Sequence, residues 1–127
     1  MDPRTLLGCR LRDVVAAWHI SEGAKQHQPI DVWLVLDVGG PVEIGVASDW
    51  QLTLQVGQPY EPYDMQECGA VEVGPLSRHF PLTKYLGEEI RGVGEDVHPV
   101  AGRMGMDLRF ASGGVRGLRR PPIHPEA

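Results

Sequence analysis

The stretch Leu7-Gly8-Cys9-Arg10-Leu11-Arg12-Asp13-Val14 returns 79 residues later as Leu86-Gly87-Glu88-Glu89-Ile90-Arg91-Gly92-Val93. Both read L-G-x-x-[LI]-x-x-V. Each glycine follows a proline, Pro3 or Pro81, by five or six residues. A second pattern is doubled as well. Val32–Val42 and Gly105–Val115 each alternate up to a glycine pair, Gly39-Gly40 or Gly113-Gly114, and then begin a new run. The offset at that point is 74. Self-similarity of this kind marks one supersecondary unit used twice. The drop in offset gives the first copy about five extra residues, and the polar stretch Ser21–Pro29 is the natural place for them.

Each copy has a physical reading. Asp2-Pro3 and Phe80-Pro81 start a short helical turn with proline at its first position. Asp2 is placed to cap the first. Gly8 and Gly87 end the turns as left-handed residues. The stretch Arg10–Ala17 follows. Its apolar spacing also fits a helix, but Gly92 and Gly94 in the second copy would each cost a helix about 1 kcal/mol, so strand is the better reading, with a bulge to reconcile the spacing. Asp31–Val38 and Met106–Ala111 are the next strands. Gly39-Gly40 and Gly113-Gly114 read as two-residue hairpin turns, and Val42–Ala47 and Val115–Leu118 as the return strands. Gln51–Val56 alternates and adds a strand; Ala70–Val73 adds another.

The predicted fold class is mainly β: two repeated three-stranded β-meanders packed as one small sandwich or open barrel, with one or two short helical turns. A lone three-stranded sheet is marginal, and two packed face to face give one core. The domain spans residues 1–120, with repeats at about 3–56 and 81–120; residues 121–127 read as a frayed tail. Trp33, Leu34, Leu36, Leu108 and Phe110 are core candidates, with Leu11, Val14, Ile90 and Val93 beside them.

Composition narrows the function classes. The chain has 127 residues, 42% hydrophobic and 23% charged, with 16 Gly and 11 Pro. No stretch approaches the roughly 20 apolar residues of a membrane span. The first residues lack the basic-then-apolar pattern of a secretory signal. Two cysteines, Cys9 and Cys68, make no disulfide framework and read as free thiols in a reducing cytoplasm, with a single disulfide between them as the alternative. The charge is uneven. Between Gln26 and Ser77 there is no Lys or Arg, while Asp31, Asp37, Glu43, Asp49, Glu61, Asp64, Glu67 and Glu72 give −8. The flanks, 1–25 and 78–127, carry +1 and +2. Such a block repels phosphate backbones, which argues against nucleic acid as a ligand of this segment, and attracts basic partners; the alternative is a solvated acidic surface with no partner.

The motifs of common chemistries are missing. There is no phosphate loop, nucleophile elbow, C-x-x-C, H-E-x-x-H or calcium loop. His19, His27, His79, His98 and His124 are scattered. His19, His27 and Cys9 are possible zinc donors, but not at the spacing of a zinc module. Glu61, Asp64 and Glu67 are paired carboxylates without a nearby lysine, since Lys25 and Lys84 lie far off in sequence. No catalytic residue, metal ligand or cofactor is assigned. The segment from Gly57 to Met65 suits binding better: it joins aromatics and carboxylates on a backbone stiffened by Pro59 and Pro62. The assigned partner-binding residues are Trp50, Tyr60, Glu61, Tyr63, Asp64 and Glu67. The alternative is a connecting loop whose tyrosines cover the core.

The doubled pattern resembles small bacterial proteins of unknown function, some of which occur beside polymorphic toxins as immunity-type proteins. The carrying residues are Leu7-Gly8, Leu11, Val14, Leu34-Val35-Leu36, Gly39-Gly40 and their second-copy counterparts, about half of the chain. The resemblance implies a non-enzymatic inhibitor and brings no catalytic residues. The leading expectation is therefore a cytoplasmic protein-binding module, docking an acidic surface on a protein partner with a basic one. Two alternatives stand beside it. One is a small enzyme or metal-binding protein using the Glu61–Glu67 carboxylates with a histidine. The other is a structural subunit whose β edges pair with a neighbour.

Overall fold

Both copies fold as meanders, each entered through a 3-10 turn. The structure is a computed structural model and describes residues 2–25, 29–46, 52–76, 80–100 and 102–119, with backbone alone at Val46, Cys68 and residues 115–119. Of the described residues 57% are in strands and 11% in helical turns, which makes the class mainly β. The first copy runs through η1 (Pro3–Leu6), β1 (Leu11–Ser21), the short β2 (Ala24–Lys25), β3 (Asp31–Leu36) and β4 (Val42–Val46). Three more strands follow: β5 (Leu52–Val56), β6 (Tyr63–Asp64) and β7 (Ala70–Pro75), with η2 (Gln66–Cys68) before β7. The second copy is η3 (Pro81–Tyr85), β8 (Gly92–His98), β9 (Gly102–Phe110) and β10 (Gly113–Arg119). Among the described residues no helix is long and apolar enough to cross a membrane.

The local signals act as their chemistry requires. The Asp2 carboxylate accepts the Arg4 backbone N–H at 2.9 Å, so it caps η1. Gly8 and Gly87 stand at φ +85° and +90°, where a side chain would be strained. The bulge on β1 lies between Leu11 and Asp13, and it converts the helix-like spacing into one inward face. The extra residues of the first copy extend β1 into a hairpin with β2, closed at Glu22-Gly23.

The glycine pairs correct the sequence reading. In the second copy the two-residue turn is Ala111-Ser112, because Phe110 pairs with Gly113 and Gly113-Gly114 already belong to β10. In the first copy Gly39-Gly40 lie within a longer connection, residues 37–41, where Gly39 alone has positive φ. Tight strand pairing, rather than the turn itself, requires Gly114: a Cβ there would lie 3.0 Å from the Leu108 carbonyl oxygen.

The register reproduces the repeat. Val14 pairs with Leu34, and their counterparts at offsets 79 and 74, Val93 and Leu108, pair with each other. The copies also clasp one another. Gly8 N–H donates to the Ile90 carbonyl at 2.9 Å, and Gly87 N–H to the Leu11 carbonyl at 2.6 Å. Leu11 N–H donates to the Glu88 carbonyl at 2.9 Å, and Ile90 N–H to the Cys9 carbonyl at 2.8 Å. A shift of 79 turns the first bond of each pair into the second with the halves exchanged. Arg10 and Glu89, themselves counterparts, form the antiparallel bridge at the centre. The clasp therefore has local two-fold symmetry.

Two antiparallel sheets result, not closed into a barrel. One has seven strands in the order β5-β4-β3-β1-β7-β6, with β2 on β1; the other is β10-β9-β8. The core between them takes Leu11, Val14, Leu34 and Leu36 from one copy and Ile90, Met106, Leu108 and Phe110 from the other. Val93 packs at its edge. Trp33 is fully buried but belongs elsewhere: it forms a second cluster with Ala17 and Val71. Strand alternation forces this, since Trp33 cannot share a face with Leu34. The proposed ends at Ala47 and Gln51, and the tail 121–127, lie outside the described residues.

Candidate functional site

The outer face of the seven-stranded sheet is set by alternation. Val15, Ala17 and His19 of β1 point there, with Asp31 and Trp33 of β3, Glu43 and Gly45 of β4, and Val71 and Val73 of β7. Loop residues Tyr60 and Met65 pack on this face, against the cluster of Ala17, Trp33 and Val71. The segment 57–69 thus has an apolar underside, which fixes where its polar residues stand.

Tyr60 is the anchor. Its ring meets Trp33 edge-on at 4.9 Å between centroids. Its hydroxyl donates to Asp31 Oδ2 at 2.6 Å. Burial pushes the Asp31 carboxyl up from its ordinary value; the Tyr60 hydrogen bond partly opposes this, and the Glu43 carboxylate adds to it. Burial and then the Asp31 hydrogen bond push the Tyr60 phenol upward as well, so it stays a proton donor. The pair is a structural clamp: the phenol is no base at neutral pH, and one Asp31 oxygen is already engaged. Gly45 lets Asp31 sit there, because a Cβ at that position would meet Asp31 Oδ1 at 2.5 Å and Thr53 Oγ1 at 3.2 Å. Trp33 Nε1 is buried and meets no acceptor among the described residues.

The far end of the loop is locked by Gly69. Its φ is +96°, and a Cβ would collide with the Ile20 carbonyl oxygen. Met65 N–H donates to the Gly69 carbonyl at 2.7 Å, and Gly69 N–H to the Gln66 carbonyl at 3.0 Å. Gln66 takes positive φ, and its N–H is held by Asp64 Oδ1 at 2.7 Å. Tyr63 and Asp64 pair with Val71 and Ala70.

The assigned partner-binding residues divide accordingly. Tyr60 is half-buried and supports the loop. Tyr63 leans on it at 5.7 Å between ring centroids and remains 47% exposed, enough to offer one ring face outward. Glu61, Asp64 and Glu67 are exposed in the same segment. Trp50 lies outside the described residues, as do Asp49, His27, His79 and His124. Among the described residues the acidic block does not form one surface. Asp31 and Glu43 share the outer face with the loop, and Glu43 accepts from Gln55 at 2.7 Å. Asp37 accepts the Arg10 backbone N–H at 2.8 Å. Glu72 faces the other side of the sheet, 3.5 Å from Lys25, which also lies over Trp18.

Among the described residues no three His, Cys, Asp or Glu side chains come together as a metal site. Cys9 is a free thiol. Sequence reading placed Trp33 in the core and Asp31 in the acidic block, but set neither beneath loop 57–69. Their signal was available, because Asp31-Trp33-Val35 is the face opposite Val32-Leu34-Leu36, and a carboxylate beside a tryptophan there implies a second covered surface. Compared with family models, with curated proteins and with solved structures, the chain finds no match.

Proposed function

We propose that this protein is a non-enzymatic binding module of the immunity type, presenting loop 57–69 to a basic protein partner. One observation carries the reading: the loop is anchored from below and locked at its end, while Glu61, Tyr63, Asp64 and Glu67 stand outward. A surface held in place before binding loses little entropy on docking. An exposed tyrosine among carboxylates suits a partner that brings arginine or lysine, such as a toxin with a positively charged active site.

The test uses a photo-crosslinking side chain at position 61, with position 84 on η3 as control, in extract of the native host. A protein adduct at position 61 that fades as salt rises past about 0.1 M supports the reading, because screening then shortens to about 10 Å. In kinetics with that partner, neutralising Glu61 and Asp64 slows association, and Tyr63→Ala speeds dissociation. Adducts at position 84 alone, or binding indifferent to salt, overturn it.

A further inference from the structure

The two copies differ in what lies beside their first strand. β1 has β3 on one side and β7 on the other. β7 pairs with it from Val15↔Pro75 to Ile20↔Ala70, and Leu76 N–H continues the ladder to the Val14 carbonyl at 2.9 Å. β8 has β9 on one side, and among the described residues no strand lies on the other. The shift of 79 maps Val14 to His19 onto Val93 to His98, histidine onto histidine. The open side of β8 is thus the counterpart of a strand site that is filled in the first copy. We infer that the outer edge of β8, residues 93–98, docks an extended basic segment of a partner protein, which joins the three-stranded sheet as β7 joins β1.

The backbone is disposed for this. Val14 turns its carbonyl toward β7, so by alternation Ala16 and Trp18 do the same. Their counterparts Val93, Glu95 and Val97 then turn N–H and C=O away from β9. Strand addition of this kind takes its affinity from main-chain hydrogen bonds and its selectivity from alternate side chains.

Charge selects the occupant. Where β1 has Ala16 and Ala17, β8 has Glu95 and Asp96. Arg103 holds Glu95 at 3.0 Å. β8 itself nevertheless carries Glu95 and Asp96 and no Lys or Arg, a formal −2. Two β8 edges laid antiparallel would set these carboxylates against each other, which destabilises a pair. A second copy is therefore disfavoured, and a lysine- or arginine-bearing strand is favoured. Apolar contact is also on offer: Val97 is 58% exposed where its counterpart Trp18 is 6% exposed. This edge belongs to the other sheet from loop 57–69, so it stands or falls separately from the function proposed above.

Two synthetic peptides test it against the isotope-labelled full chain. One is the β7 sequence made basic, Lys-Ala-Val-Lys-Val-Gly-Lys; the other carries glutamate at every lysine. At about 1 mM the basic peptide should shift the amide signals of Val93, Glu95 and Val97 and slow their exchange by about tenfold, while the acidic peptide should not. Val97→Pro should abolish the effect with circular dichroism unchanged, because the lost N–H faces outward. A basic peptide N-methylated at alternate residues should also fail, and this holds whether or not the proline variant folds. No shift with the basic peptide, equal response to both peptides, shifts confined to residues 57–69, or pairing of β8 with a second copy would each overturn the inference.

Discussion

The first and second halves of this chain share one pattern and differ in what surrounds it. Each half enters through a proline-led 3-10 turn, leaves it at a left-handed glycine and builds a meander in the same register. The first half then gains β5 beside β4, β7 beside β1, and a loop over its outer face. The second half gains none of these among the described residues. Side chains record the difference. The outward positions Val15, Ala17 and Trp33 have as counterparts Gly94, Asp96 and Asp107. The inward positions Val14, Leu34 and Leu36 have Val93, Leu108 and Phe110. The shared core is thus kept in both copies, while the outer face is apolar only where something covers it.

The sharpest way to break this comparison is at the clasp. Leu11 and Ile90 are counterparts, both fully buried, and each donates a backbone bond to the other half. Leu11→Ala and Ile90→Ala should each cost about 2–5 kcal/mol, the range for a buried aliphatic truncation. Urea unfolding measures both. Costs within about 1 kcal/mol of each other support a core shared equally by the halves. A cost for Ile90→Ala below about 1 kcal/mol would mean that the second half contributes little to it.

A smaller effect should be confined to the first half. Gly69→Ala places a Cβ against the Ile20 carbonyl at a positive φ. The cost should be about 1–3 kcal/mol, typical of a backbone forced into a disfavoured region. Amide exchange should localise the damage. The Met65 and Gly69 amides lose protection, while those of β8 and β9 keep theirs. Equal loss in both sheets would show that the loop and the core unfold as one unit.

Much of the meander was legible because its signals are local. Gly8 and Gly87 are needed for their φ, Pro3 and Pro81 for theirs, and the alternation of Val32, Leu34 and Leu36 against Asp31 and Trp33 is a strand pattern. Strand order was less so. Nothing in Ala70–Pro75 says that it pairs with β1, since that contact joins residues 50 to 60 apart and is set by packing. The glycine pairs misled for a related reason. Gly113-Gly114 carry the composition of a hairpin turn, yet close approach to Leu108 and Arg109 explains Gly114, and the turn falls two residues earlier. At the loop, Tyr60 and Tyr63 read alike in sequence. Only the position of Trp33 beneath them separates an anchor from an exposed ring.

The smallest expected effect concerns the carboxylate beneath that anchor. Asp31 is half-buried, and its counterpart in the second half is Gly105, so any pH dependence it brings belongs to the first half alone. Burial raises its folded-state pKa above the unfolded value near 3.8. The folded protein therefore binds this proton more tightly than the unfolded chain does. Its contribution to stability is full below that value and is lost as pH rises through the folded pKa. Asn at this position still accepts the Tyr60 hydroxyl and carries no charge to desolvate. Asp31→Asn should thus raise stability at pH 7 by less than about 1 kcal/mol. It should also flatten the decline above pH 4, with the two proteins converging near pH 3.5. Urea midpoints across that range give the comparison. If Asp31→Asn is instead the less stable protein at pH 7, the charged carboxylate is a net favourable partner for Tyr60, and hydrogen bonding rather than burial governs this position.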